Sequence, residues 1–413
     1  MVIRFEGHAH FRQRLVLATL AQKAITVNGI RPSDDNPGLR DYEISFLRLL
    51  EKVSNGCVIE ISYTGTSVHY RPGVITGGDV HHACPTSRAI GYFLEPLVAL
   101  APFSKLPFEL TLTGITNDNV DPTVDMIRTV LLPVLRRFSG GLENGMELQI
   151  KHRGAPPLGG GLIRFLCPTT RQLSPLNFTD RGLIKRVRGV AYASRVSPQM
   201  ANRVADAARG ALTEFLPDVY VYSDVYKGEE AGKSPGYALT LVAESTTGAL
   251  YHAEVAFQTS SSSSSSSSST DTSSTPAPTS ASASSSLRRL ESNASSHSHS
   301  HSSSHLHLHN SYHFATPEDL STRCVQLLLR EIDLGGCVDT GCQWLACLMM
   351  VLGPEDVGRV RVGRRLGEFT IQYLRDIKTF FGSEFKVRED PDTGEVLLSC
   401  VGTGYVNFGK KTT

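Results

Sequence analysis

The chain has 413 residues, 40% of them hydrophobic and 20% charged, enough apolar material for an ordinary globular core. Its 41 basic and 40 acidic residues leave a formal net charge of +1, so no global field draws it to nucleic acid, and any such contact must come from a local patch. The length exceeds what one core usually holds, so roughly two domains are expected.

Apolar positions at helical spacing predict helices over 12–22, 42–54, 87–100 and 123–138, then over 198–215, 317–332, 343–352 and 371–381. Between them, β-rich runs predict strands over 57–63, 108–113, 147–152, 219–222, 238–243 and 396–401. Gly and Pro punctuate the joins, as at Arg71-Pro72-Gly73, Pro156-Pro157 and Gly159-Gly160-Gly161. The alternation gives an α/β or α+β class with several similar units. The longest apolar run, Trp344 to Leu352, is too short to span a bilayer. The opening Met1-Val2-Ile3-Arg4 carries no secretory core, so a soluble intracellular chain with no membrane contact is expected. The eight cysteines form no CxxC pair; they read as reduced thiols, not as a zinc site or a disulfide scaffold.

From Thr259 to Ser311 the composition collapses to mostly Ser, Thr, Ala and Pro, ending in His297, His299, His301, His305, His307 and His309. Such a stretch cannot bury enough apolar surface to offset its ordering entropy, so a disordered loop is expected. No second ligand type frames the histidines, which read as repeat expansion and not as a metal site. Asn293-Ala294-Ser295 is a formal glycosylation sequon that an intracellular address leaves silent.

Several short blocks stand in a fixed order: Ile30-Arg31 with Asn36-Pro37-Gly38-Leu39-Arg40, Tyr70-Arg71-Pro72-Gly73 with Gly77-Gly78, and Gly114 to Pro122 (GITNDNVDP). Further on come Arg153-Gly154 with Gly159-Gly160-Gly161, Arg188-Gly189, and Gly335-Gly336-Cys337-Val338-Asp339. Through these blocks the chain resembles the RNA 3′-terminal phosphate cyclase family. The stretches DDNPGLRDYE (34–43) and RVSPQMANR (195–203) resemble its cyclase-like, non-cyclising nucleolar branch. The resemblance implies a large domain of three βαβαββ-type repeats with a smaller α/β domain inserted before the last repeat. Mapped here, the large domain is 1–184 and 336–413, and the insert is 185–335 with the Ser/His tract as a loop. It further implies a nucleolar assembly factor for early processing of precursor ribosomal RNA of the small subunit, with a nucleolar GTPase as partner and no cofactor.

Two departures from working cyclases stand out. Those enzymes pass through an adenylated histidine near the start of a C-terminal helix. The corresponding stretch here, Arg364-Arg365-Leu366-Gly367-Glu368-Phe369-Thr370, has no histidine, and the last histidine in the chain is His313. Covalent catalysis cannot proceed without its nucleophile. The cyclases' Glu-Gly-Gly-Gly-Gln element reads Glu6-Gly7-His8-Ala9-His10, placing side chains where bare backbone would meet a nucleotide. His8 and His10 are expected in surface or packing roles.

Two basic clusters could contact RNA or an acidic protein segment: Arg359, Arg361, Arg364 and Arg365, and Arg181, Lys185, Arg186 and Arg188. Arg375, Asp376 and Lys378 carry the alternative reading, a pre-rRNA endonuclease in which a carboxylate flanked by cations activates a 2′-hydroxyl or water. The competing reading is a solvated charge cluster on an exposed helix face. A residual ATP-dependent cyclase is the third reading. Asp118, Asp121 and Asp125 are expected as helix caps, and no metal site is expected.

Overall fold

The structure is a computed structural model that describes residues 2–138, 144–257 and 314–407. The Ser/His-rich tract, its histidine run and the Asn293 sequon lie outside the described residues. The first repeat runs β1 (Ile3–Glu6), α1 (Phe11–Ala21), β2 (Ile25–Asn28), α2 (Asp41–Val53), the short β3 (Ser54–Asn55), β4 (Val58–Ile61) and β5 (Val68–Arg71). Its sheet has the order β1-β2-β5-β4, parallel at the first pair and antiparallel after it. A short β6 (Val74–Ile75) pairs with β3.

The second repeat has β7 (Gly78–Ala83), α3 (Ile90–Leu100), β8 (Phe108–Gly114), then α4 (Val124–Met126), which continues through a π turn into α5 (Leu132–Arg136), then β9 (Glu147–His152) and β10 (Gly161–Cys167). Its sheet order, β7-β8-β10-β9, repeats the first, with the same pattern of parallel and antiparallel pairs. The third repeat opens with β11 (Asn177–Phe178) and is then interrupted. The interruption is β12 (Ile184–Ser194), α6 (Pro198–Thr213), β13 (Val219–Tyr226), β14 (Gly236–Ser245), β15 (Leu250–Ala256) and α7 (Pro317–Leu334), with sheet order β13-β12-β14-β15. The repeat resumes with α8 (Gln343–Val351), β16 (Val357–Val362), α9 (Glu368–Phe381), β17 (Lys386–Glu389) and β18 (Val396–Val401), in the order β11-β16-β18-β17. The insertion therefore falls inside the third repeat, after its first strand, and not before the repeat as the family resemblance implied. A two-residue strand carries no period by which it could be read.

Local chemistry sets the elements. Helix α1 is buried on every side from Phe11 to Leu20 and packs against α3 and α9. Helix α2 is amphipathic, burying Phe46, Leu47, Leu49, Leu50 and Val53. The Glu43 carboxylate in its first turn accepts from the Arg40 backbone N–H at 2.8 Å and pairs with both Arg31 terminal nitrogens at 2.7 and 2.8 Å. The Asn36-Pro37-Gly38 turn needs its glycine: Gly38 has φ +87°, and a Cβ there would sit 2.5 Å from the Thr64 carbonyl oxygen.

Three of the blocks that carry the family resemblance, 114–122, 153–161 and 335–339, meet the inserted sheet. Arg153, fully buried, donates to both oxygens of Asp125 and, at 3.0 Å, to Asp224 on the inserted strand β13. Its guanidinium lies 4.8 Å from the Tyr192 ring centroid. Asn119, from the 114–122 loop, donates to the Ala256 carbonyl and accepts from the Ala256 N–H, each at 2.7 Å, so one amide satisfies both backbone groups of the last residue of β15. Arg153→Met is expected to lower unfolding free energy by about 3–5 kcal/mol, because Asp125 would stay buried with only the longer, 3.4 Å contact to Arg128. Arg186→Met, which breaks the half-buried surface pair with Glu244, should cost less than about 1 kcal/mol. Denaturant titration of both variants tests this, and equal effects would contradict it.

Candidate functional site

Helix α9 starts at Glu368, just after Gly367, and its first turn is packed with rings. Phe369 stacks on Tyr373 with centroids 5.7 Å apart. His10, from the opposite end of the chain, lies 5.3 Å from Phe369. The imidazole at the head of α9 is thus supplied by the loop before α1, where His10 holds a left-handed φ of 56°.

Farther along α9 the helical period separates Arg375, Asp376 and Lys378. Arg375 and Lys378 are exposed, whereas Asp376 is only 3% exposed. The Asp376 carboxylate accepts from Arg14 Nε at 3.2 Å and Gln372 Nε2 at 2.9 Å, tying α9 to the buried α1. Lys378 pairs with Glu384 at 2.7 Å on the outside. The exposed Arg-Asp-x-Lys face expected from sequence is therefore corrected: the carboxylate turns inward to satisfy Arg14, and the two cations turn to solvent.

Of the first basic cluster, Arg359 and Arg361 occupy alternate positions of β16 and share one sheet face, while Arg364 and Arg365 lie beyond the strand, in the connection to α9. Arg361 is held by Asp390 at 2.7 Å and Glu395 at 3.4 Å. Arg364 donates to the Thr393 carbonyl at 3.1 Å, and Arg365 is exposed. Sequence reading missed Lys386 and Arg388, which line the same shallow cavity of about 560 Å³ as Arg359 and Arg361. The signal was present in the alternation of Val357-Gly358-Arg359-Val360-Arg361-Val362 and Lys386-Val387-Arg388. The second cluster is dispersed: Arg181 pairs with Glu395, Arg186 with Glu244 and Arg188 with Asp218, and Lys185 is exposed.

The model of the family described as RNA 3′-terminal phosphate cyclase matches residues 3–387. The chain belongs to that family. It is 45% identical to a probable RNA 3′-terminal phosphate cyclase-like protein of Dictyostelium discoideum, over the whole of both chains. It is 44% identical to the RNA 3′-terminal phosphate cyclase-like protein of Homo sapiens, covering 99% of this chain and 97% of that one. An rRNA processing protein of Schizosaccharomyces pombe is 42% identical, covering 99% of this chain and 98% of that one. Within the cyclase family, the ring-packed head of α9 is the stretch where the resemblance puts the adenylated histidine, and Glu368-Phe369-Thr370 stands there.

The three aspartates of the 114–125 segment are each taken by protein donors. Asp118 accepts from the Val120 and Asp121 backbone N–H groups, and burial pushes its carboxyl up to about 7. Asp121 pairs with Arg88 and Asp125 with Arg153, while the helix cap is Thr123, whose hydroxyl accepts from Met126 N. Capping by the aspartates is thereby corrected. Among the described residues no group of three or more His, Cys, Asp or Glu is arranged to hold a metal.

Asp376→Ala is expected to lose about 3 kcal/mol or more by stranding Arg14, whereas Arg375→Ala and Lys378→Ala should stay within about 0.5 kcal/mol of wild type. Chemical denaturation separates these outcomes, and an unchanged Asp376→Ala midpoint would contradict the buried pair. A second test uses pH. Burial lowers the affinity of His252 for a proton, but Asp339 beside it outweighs that and raises the imidazole to about 9. A raised histidine stabilises fully below its ordinary value near 6.5 and loses that contribution as pH climbs to about 9. Thermal midpoints of wild type should fall across that window, and His252→Gln should flatten the fall; parallel profiles would overturn the assignment.

Proposed function

We infer that this chain is a ribosome-biogenesis factor for early processing of precursor ribosomal RNA of the small subunit, acting in the nucleolus without cyclase activity. The observation that carries the reading is the head of α9, where Glu368-Phe369-Thr370 stands in place of the cyclases' nucleophilic histidine. A nucleotidyl transfer through histidine has no acceptor nitrogen in that stretch. Relatives alike over nearly their whole length are named for rRNA processing or as cyclase-like, which supports the same reading. A factor without the family's covalent chemistry acts by holding RNA and partner proteins, and the expected protein partner is a nucleolar assembly GTPase. The endonuclease alternative gains no support from Arg375, Asp376 and Lys378, which the helix spreads over inner and outer faces.

The test has two arms. Purified protein incubated with labelled ATP and 3′-phosphorylated RNA should acquire no covalent adenylate and form no cyclic phosphate. Cells depleted of the protein should accumulate small-subunit precursor uncut at the early sites. Adenylate on the wild-type protein that disappears in His10→Ala would restore nucleotide chemistry at the head of α9 and overturn the reading.

A further inference from the structure

The three repeats present three topologically equivalent outer sheet faces, and cross-strand register shows what stands on each. On the first, Arg4, Thr26, His69 and Glu60 form one row, with Glu6 and Arg71 beside it, so the charges balance. On the second, Asp79, Glu109, Leu166 and Glu147 form a row, and the neighbouring Arg164 is already paired with Glu109, so that face is acidic. On the third, Asn177, Arg359, Ser399 and Lys386 form one row, and Arg361, Leu397 and Arg388 the next. The buried partners Val360, Val362 and Leu398 point the other way, into the core. In a chain of net charge +1, four cations on one of three equivalent faces are a local concentration and not a consequence of composition.

The array has phosphate-sized spacing. Cations two residues apart on a strand stand about 7 Å apart, and β16 and β17, separated by β18, lie about 10 Å apart. Arg361 is neutralised by Asp390 and Glu395, but Arg359, Lys386 and Arg388 are exposed and ion-paired with nothing among the described residues. Ser399 and Asn177 add polar groups between and beside them. No aromatic side chain stands in these rows, so the face has no platform on which bases could stack.

We propose that the outer face of the third sheet, centred on Arg359, Lys386 and Arg388, is a docking surface for the phosphodiester backbone of RNA, read by charge and not by base sequence. This rests on the reading that the chain works on precursor rRNA, and it names how the RNA is held. Guanidinium and ammonium groups with no internal acid partner release counterions when they meet phosphates, so binding must weaken steeply with salt.

The probe is fluorescent oligouridylate, titrated with the full chain from low to moderate salt and followed by anisotropy. Single-strand binding loses about 0.7 in log–log salt slope for each phosphate contact removed. Arg359→Gln with Arg388→Gln should therefore reduce the slope by about 1.4 and weaken low-salt binding by about tenfold or more. Arg164→Gln, on the second sheet face, should change neither, and an oligonucleotide of different sequence should bind equally well. Wild-type slope and affinity in the double variant would move the RNA contact elsewhere and overturn the proposal, leaving the processing role to the depletion experiment. Binding of polyglutamate but not of oligouridylate would likewise overturn it, by making the face a protein site. Unaltered thermal unfolding of the variants excludes loss of fold as the cause.

Discussion

The buried ion pair between Arg153 and Asp125 is the constraint on which the rest of the arrangement depends. A guanidinium with no exposure must have its charge met inside the protein, so the chain brings its two terminal nitrogens Asp125 from α4, the Asn117 amide and Asp224 from the inserted sheet. Each partner comes from a different element, and the pair therefore sets the orientation of the insert against the second repeat. Glu254 accepting from Thr123, and His252 against Asp339, extend the same polar seam toward the third repeat. Asn117, Asn119, Arg153 and Asp339, all from blocks that resemble the cyclase family, are parts of this seam.

Repetition of one βαβαββ unit explains how the molecule combines a common core with different surfaces. In each sheet one face packs on helices and is held to apolar residues, while the alternate positions face outward and are free to vary. The three outer faces have used that freedom differently: one balanced, one acidic and one basic. The inward positions cannot diverge in this way, because α1 is surrounded and every helix against it meets packed side chains.

Loss of a nucleophile and retention of a fold are compatible for the same reason. The head of α9 needs only shape and apolar contact to hold its place, and Phe369, stacked on Tyr373 and met at a tilt by His10, provides both. Two turns further on, Asp376 answers a requirement of the core, since Arg14 on a buried helix must have an acid. A residue set that looks like exposed chemistry in the linear sequence is in part an internal tie.

The sequence alone determined the helices, the low-complexity tract and the chemical inventory, because period, composition and the presence of a residue type are properties of the line. The want of any imidazole after His313 is such a property, and so is the cyclase-family order of Gly- and Pro-bearing blocks. Only the tertiary structure decided that Asp376 points inward, since which side of α9 is buried depends on the position of α1. It alone put Lys386 and Arg388 beside Arg359 and Arg361, because strand register joins residues far apart in the chain through hydrogen bonds that no local pattern encodes. It also put the insertion after Asn177-Phe178, a strand too short to show any period. Local order is written in neighbouring residues, whereas the sharing of a face depends on long-range pairing, and the candidate RNA surface belongs to the second kind.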